Sequence, residues 1–241
     1  MDMFTFDLHM HTHYSFDSLI RPEKLFKRAE KIGLNAIAIT DHNTIRGSLK
    51  AVEYAKDSNI IVVKGAEINT DLGDVIGLFL TEDIKSRIFH DVITEIRDQN
   101  GLVYLPHPYS SSTKLNQMDI SKFDAIEVIN GRKPQWQNKK AAELVGTLDT
   151  IGLGGSDTHI MFELGCIYNI AETPIDTEDS LREVIQRGKS RIFQDPFFSQ
   201  RPLIVRANHY ISWIRAKQYR KFVDRGASMI RRVIPKMVSY N

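Results

Sequence analysis

The sequence predicts an α/β fold, a closed or nearly closed barrel with a largely parallel sheet, on three observations. Short β-rich runs alternate with helical stretches up to about residue 194, and a βαβα order implies parallel strands joined by right-handed crossovers. At least seven such units in about 190 residues suit a barrel better than an open sheet. The third observation is chemical. Histidines and acids cluster where the strands end, and barrels carry their reactive side chains at the C-terminal ends of strands.

The elements follow in order. "MFTFDLHMH" alternates apolar and polar residues, as a strand does. "RPEKLFKRAEKIGL" reads as a helix, with Pro22 in its first turn, Leu25, Ala29 and Ile32 on one face, and Gly33 as its stop. "NAIAIT" is a short buried strand and "SLKAVEYAKDS" a helix. "IIVVKGAEI" and "DVIGLFL" are strands, and "IFHDVITEIRDQNG" is a helix ended by Gly101. "LVYLPHP", "DAIEVIN" and "TIGLGGSD" are further strands, with "PQWQNKKAAELVGTL" between the last two. "GCIYNIA" and "SRIFQ" flank the helix "TEDSLREVIQRG".

Composition bounds the class. An apolar share of 42% and a charged share of 26% are those of a soluble globular protein. No apolar run approaches the ~18 residues that span a bilayer, and "MDMFTFDLH" lacks the basic start of a signal peptide. A cytoplasmic enzyme with no membrane partner is the expectation. The single Cys166 has no activating neighbours and reads as a core residue. Charge is uneven. Residues 201–241 hold ten Lys/Arg against one acid, Asp224, a net +9, so the preceding 200 residues carry −7 of the overall +2. In that basic tail Ile211, Ile214, Phe222, Met229, Ile230 and Val233 recur at roughly helical spacing. Two readings stay open for it: amphipathic helices packed on the barrel, or a handle on nucleic acid or another polyanion.

The candidate ligands are His9, His11, Asp41, His42, Glu67, His107, Asp157 and His159. His9 and His11, two apart on a strand, point to one face and can share one ion. The mixed imidazole and carboxylate set suits Zn, Mn or Fe rather than Ca. It is too large for one tetrahedral ion, so two or three divalent ions sharing a carboxylate are expected, as in sites that clamp both oxygens of a phosphoryl transfer.

"DLHMHT", "ITDHNT", "GAE", "LPHP" and "GSDTH", in this order, resemble the motifs of the PHP (polymerase and histidinol phosphatase) family of metal-dependent phosphoesterases. The resemblance covers residues 5 to about 195. It implies a distorted (β/α)7 barrel over 1–195, followed by the basic, helical extension 196–241. It also implies a cluster of up to three metals, Mg being possible beside Zn, Mn and Fe. By the same resemblance His9, His11, Glu67 and Asp157 hold the first metal, with Glu67 bridging to a second held by His107. His42 and His159 match ligands of a third. Where the family often carries other residues, this chain offers Asp17 to the third metal and Asp74 to the second.

The implied chemistry is hydrolysis of phosphate mono- or diesters of a small molecule or nucleotide by a metal-activated hydroxide, with Glu67 and Asp157 at its centre. Asp41 is expected to orient an imidazole. Asn130 and Arg132, at a strand end, could reach a substrate phosphate, although for Arg132 a surface salt bridge is an equal reading. His13 is expected behind the ligands. His90 and His209 match no motif, and Trp136 and Trp213 read as packing residues rather than base-stacking platforms. A nuclease using the basic tail and a non-catalytic metal- or nucleic-acid-binding module remain the alternatives. The near-complete ligand set argues against the second. Oligomeric state is left open by the sequence.

Overall fold

The computed structural model describes residues 3–148, 150–188 and 190–196. The expected helical extension, with His209 and Trp213, therefore lies outside the described residues. The strands are β1 (Phe4–Asp7), β2 (Ala36–Ile39), β3 (Ile61–Asn69), β4 (Asp74–Leu78), β5 (Leu102–Leu105), β6 (Ala125–Asn130), β7 (Ile151–Gly155), β8 (Ile167–Ala171) and β9 (Ser190–Gln194). The helices are α1 (Pro22–Lys31), α2 (Arg46–Ala55), α3 (Phe89–Asp98), α4 (Gln135–Gly146) and α5 (Glu178–Arg187).

One sheet runs in the order β7-β6-β5-β4-β3-β2-β1-β8-β9. Half of its pairings are antiparallel, against the expected largely parallel sheet: β3–β4, β4–β5, β1–β8 and β8–β9. The cause is local. Four residues join β3 to β4, and so short a link can only fold back as a hairpin, because a parallel crossover needs a dozen or more residues. β8 likewise follows β7 without an intervening helix. Reversing β4 and β8 leaves the other seven strands pointing one way. The nine-stranded sheet is thus a seven-stranded barrel plan with two reversed strands inserted.

The sheet curls until β7, at one end of its order, meets β8 and β9 at the other, and a side chain makes the seam. The Asn169 amide accepts from the Gly154 N–H at 2.9 Å and donates to the Gly154 carbonyl at 2.8 Å, imitating a backbone partner. In β2 the small Ala36 and Ala38 face the cluster that contains Phe6, Leu8 and Tyr104, while Ile37 and Ile39 face that beneath α1. This is the period-2 alternation of a strand covered on both faces.

β8 runs backwards, so α5 begins at the end of the barrel where the other strands start, and β9 begins there too. Helix α5 therefore lies across that end rather than along the wall. Leu181, Val184 and Ile185 complete the interior cluster, and Arg182 donates to the Asn100 carbonyl at the opposite rim at 2.6 Å. Truncating Leu181, which is fully buried, would cost about 2–5 kcal/mol. Plugged there, the barrel opens at its other end. Helix α1 starts at Pro22 and ends before Gly33, whose φ is +80°, as the sequence predicts. Among the described residues no helix is long and apolar enough to cross a membrane.

Candidate metal centre

The open end carries the strand termini that the ligands need. His9 and His11 follow β1, Asp41 and His42 follow β2, Glu67 lies late in β3, His107 follows β5, and Asp157 and His159 follow β7. Asp74 is the first residue of β4. Because that strand is reversed, its start lies beside the ends of its neighbours. The structure brings donor atoms within 4.8 Å of one another in four overlapping groups: His11, Asp17, His42 and His159; His9, His107 and Asp157; His9, His11 and Glu67; Glu67, Asp74 and His107. Every residue expected to bind metal, including the two substitutes Asp17 and Asp74, belongs to one of them.

Hydrogen bonds fix which ring nitrogen faces the centre. His9 gives its Nδ1–H to Glu127 Oε1 at 2.9 Å, so Nε2 is the nitrogen left for a cation or a proton. His11 Nδ1 lies 3.1 Å from Ser15 Oγ, which donates onward to Asp41 at 2.9 Å and can only accept from His11. Its Nε2 is therefore the free nitrogen as well. These two Nε2 atoms face each other at 3.2 Å. Two lone pairs at that distance repel unless a cation or a proton lies between them. Glu67 adds to the demand. Its Oε1 is 3.0 Å from His107 Nε2, and its Oε2 lies 3.3–3.5 Å from His11, His42 and His9.

A third subset repeats the pattern. His159 gives Nδ1–H to the Asp157 carbonyl at 2.8 Å and turns Nε2 toward Asp17 Oδ2 at 2.9 Å, with His42 Nε2 3.5 Å from the same oxygen. Buried His42 Nδ1 has no hydrogen-bond partner among the described residues. Burial alone would push the carboxyls up and the imidazoles down. Burial raises Glu67, Asp157 and Asp17, but the surrounding imidazoles outweigh it and hold all three well below the usual carboxylate range. Burial lowers His42, yet Glu67 and Asp17 raise it to about 10. His159 goes the other way, to about 4, through burial and the nearby Arg132 guanidinium. The same carboxylates raise His9 and His11, so the imidazoles of this dry pocket draw protons, and divalent cations fit in their place.

The backbone is strained where the ligands sit. Asn43, His107 and Asp157 have φ of 62°, 29° and 52°, a region that costs a side-chain-bearing residue about 1–3 kcal/mol.

Other expected residues are placed as follows. Asp41 accepts from the Thr12 N–H and hydroxyl, both at 2.6 Å, and reaches His11 only through Ser15. Asn130, expected at a substrate, has its amide engaged internally: Nδ2 donates to Glu127 and Asp157, and Oδ1 accepts from the Arg132 and Lys133 N–H groups. Arg132 is not at the surface but pairs with buried Glu163 at 3.7 Å, and Glu163 accepts from the His159 N–H at 2.7 Å. His13 and His90 are exposed. Against expectation, Trp136 is 56% exposed rather than packed. Cys166 is buried, and burial pushes its thiol far up.

Glu127 is the residue that sequence reading missed. Besides His9 it accepts from the His107 N–H at 2.8 Å, and so holds two expected ligands at once. An acid in the middle of the buried run "AIEVIN" was the available signal. Gly155 makes room for it, since a Cβ there would come within 2.1 Å of Glu127 Oε1 and 2.8 Å of His9 Cβ.

Fold and site together define a barrel built around a buried imidazole–carboxylate centre at its strand ends. The family follows from the comparison of sequences: the PHP domain model matches residues 7–155 and the PHP-associated model residues 135–190. The chain belongs to the PHP domain family. An uncharacterized protein of Methanocaldococcus jannaschii, MJ1587, is 40% identical over 137 residues, 52% of this chain and 80% of its own. A two-domain protein from Bacteroides vulgatus, containing a predicted PHP-like metal-dependent phosphoesterase, superposes with a TM-score of 0.68 at 20% identity. That match covers 80% of this chain but 65% of the other, just under two thirds of its length. A lesion-specific endonuclease from Pyrococcus furiosus superposes at 0.61 with 15% identity, over 79% of this chain and 58% of that one.

Proposed function

We propose that this chain is a phosphoesterase that hydrolyses phosphate mono- or diesters at a centre of two or three divalent ions, Zn, Mn or Fe, with Mg also compatible. The observation that carries the proposal is the facing pair of Nε2 atoms, His9 and His11, set among three charged carboxylates. His9, His11, Glu67 and Asp157 would hold the first ion, Glu67 and His107 with Asp74 the second, and Asp17, His42 and His159 the third. Divalent ions held there would supply hydroxide near neutral pH for attack on phosphorus and would neutralise charge on the phosphoryl oxygens.

The chain's own residues do the rest. Glu127 and Ser15 keep His9 and His11 in the tautomers that present Nε2. Asn130 holds Asp157, at 3.2 Å, against the barrel floor formed with Glu127. Arg132, tethered to Glu163, adds positive charge beside His159, where an anionic substrate would enter. We place the enzyme in the cytoplasm, acting on a phosphorylated small molecule or nucleotide.

A nuclease is the second reading, favoured by the +9 charge of residues 201–241. Assays of p-nitrophenyl phosphate, bis-p-nitrophenyl phosphate and short single-stranded DNA or RNA, with Mn or Zn added, separate the readings. Hydrolysis of the first or second supports the phosphoesterase, and preference for the oligonucleotide the nuclease. Metal uptake without turnover of any of them would overturn both.

A further inference from the structure

Trp136 is exposed, but it is not alone. It is the second residue of α4, and the Lys140 ammonium one turn on lies 5.5 Å from its ring centroid. The same ammonium lies 5.8 Å from the ring of Tyr109, which stands two residues beyond His107 on the loop leaving β5. Both β5 and β6 end at the open mouth, so a ring, a cation and a second ring sit together on its rim.

This rim is tied to the centre. Asn138 on α4 exchanges two hydrogen bonds of 3.1 Å with the backbone of Asn130, and the Asn130 amide reaches Asp157 at 3.2 Å. Two residues therefore link the helix that carries Trp136 to an expected metal ligand. The arrangement has no evident value for stability, since Trp136 leaves most of its surface in water. Exposed aromatic rings beside a cation recognise flat, electron-rich groups.

The occupant must carry a phosphate for the centre and a planar face for the rim. A nucleobase linked through its sugar to a phosphate has both, and base–aromatic stacking accepts any base because each has a π-face. An aliphatic ester would leave the rim unused. We propose that Trp136, Tyr109 and Lys140 form a base-stacking subsite, and that it selects nucleotides, free or at a strand end, over other phosphate esters. The inference rests on the phosphoesterase reading for the phosphate, but not for the stacking.

The test therefore has two arms, both on the full chain. In a Trp213→Phe background Trp136 is the only tryptophan. Titration with AMP, with and without added Zn, should quench its fluorescence saturably, while glycerol 2-phosphate should not. In the second arm, the ratio of kcat/KM for AMP over glycerol 2-phosphate should fall about tenfold in Trp136→Ala and largely recover in Trp136→Phe. A 5′-phosphorylated tetranucleotide that quenches at lower concentration than AMP assigns the subsite to strand ends, and the reverse order assigns it to free nucleotides. Absence of quenching by either ligand overturns the subsite, as does an unchanged ratio. An unchanged ratio leaves the phosphoesterase reading standing. If the wild type hydrolyses neither ester, that reading fails, and the fluorescence arm decides the subsite by itself.

Discussion

His9 Nδ1 and Glu127 Oε1 meet at 2.9 Å with neither side chain exposed to solvent, so a carboxylate on β6 decides which nitrogen of a β1-end imidazole is free. Replacing Glu127 by Gln keeps its shape but removes the charge and lets the amide offer an N–H where an acceptor is needed. Zn affinity, measured by competition with a chromophoric chelator, should fall about ten- to a hundredfold. Affinity equal to wild type would show that the contact only packs.

Glu67 turns its two oxygens to different imidazoles, His107 on one side and His9, His11 and His42 on the other. Glu67→Gln should abolish turnover and lower bound metal by more than one ion per chain. Elemental analysis with a parallel assay checks both, and wild-type metal content with surviving turnover rules out a shared ligand.

Gly155→Ala should disturb the centre while leaving every charged residue in the sequence. Its Cβ collides with Glu127 on β6 and with His9 just beyond the end of β1. Overpacking of this kind costs about 1–3 kcal/mol, so the melting temperature should drop by several degrees and metal affinity should fall with it. A variant as stable as wild type would mean that the β6–β7 wall can yield.

Chelation should lower the melting temperature of the wild type, because the four carboxylates Asp17, Glu67, Asp74 and Asp157 are left crowded together without their cations. Metal at a hundredfold excess over its Kd should restore about 2.7 kcal/mol per independent site. Calorimetry with and without chelator gives the number, and a curve indifferent to metal would exclude binding to the folded chain.

Removing residues 201–241 leaves every expected ligand in place, so p-nitrophenyl phosphate should be hydrolysed at close to the wild-type rate. If the tail grips nucleic acid, oligonucleotide cleavage should weaken and its salt dependence flatten, since fewer counterions are released. A salt slope unaffected by the deletion would rule out that role.

Much of this centre was legible in the sequence, because metal ligands must be a few residue types and barrels deliver them at strand ends. Asp74 was harder to place than His9. Its position depends on the direction of β4, which the four-residue link to β3 decides and periodicity does not. Glu127 could not be paired with His9 from sequence, as 118 positions separate them. Trp136 was misread because an apolar ring on a helix normally packs, and only the path of α4 beside the loop of Tyr109 shows otherwise.

The reversal of β4 bears on how such a site can be assembled. In a sheet of strictly parallel strands each new ligand has to come from another strand, and each strand needs a returning helix. The hairpin of β3 and β4 escapes that geometry: within eight residues the chain leaves Glu67, turns, and comes back to present Asp74 at the same mouth. Two carboxylates of one donor group thus come from a single local fold, whose register is set by its own turn. That part of the centre can take shape early, before distant strands such as β7 arrive with theirs.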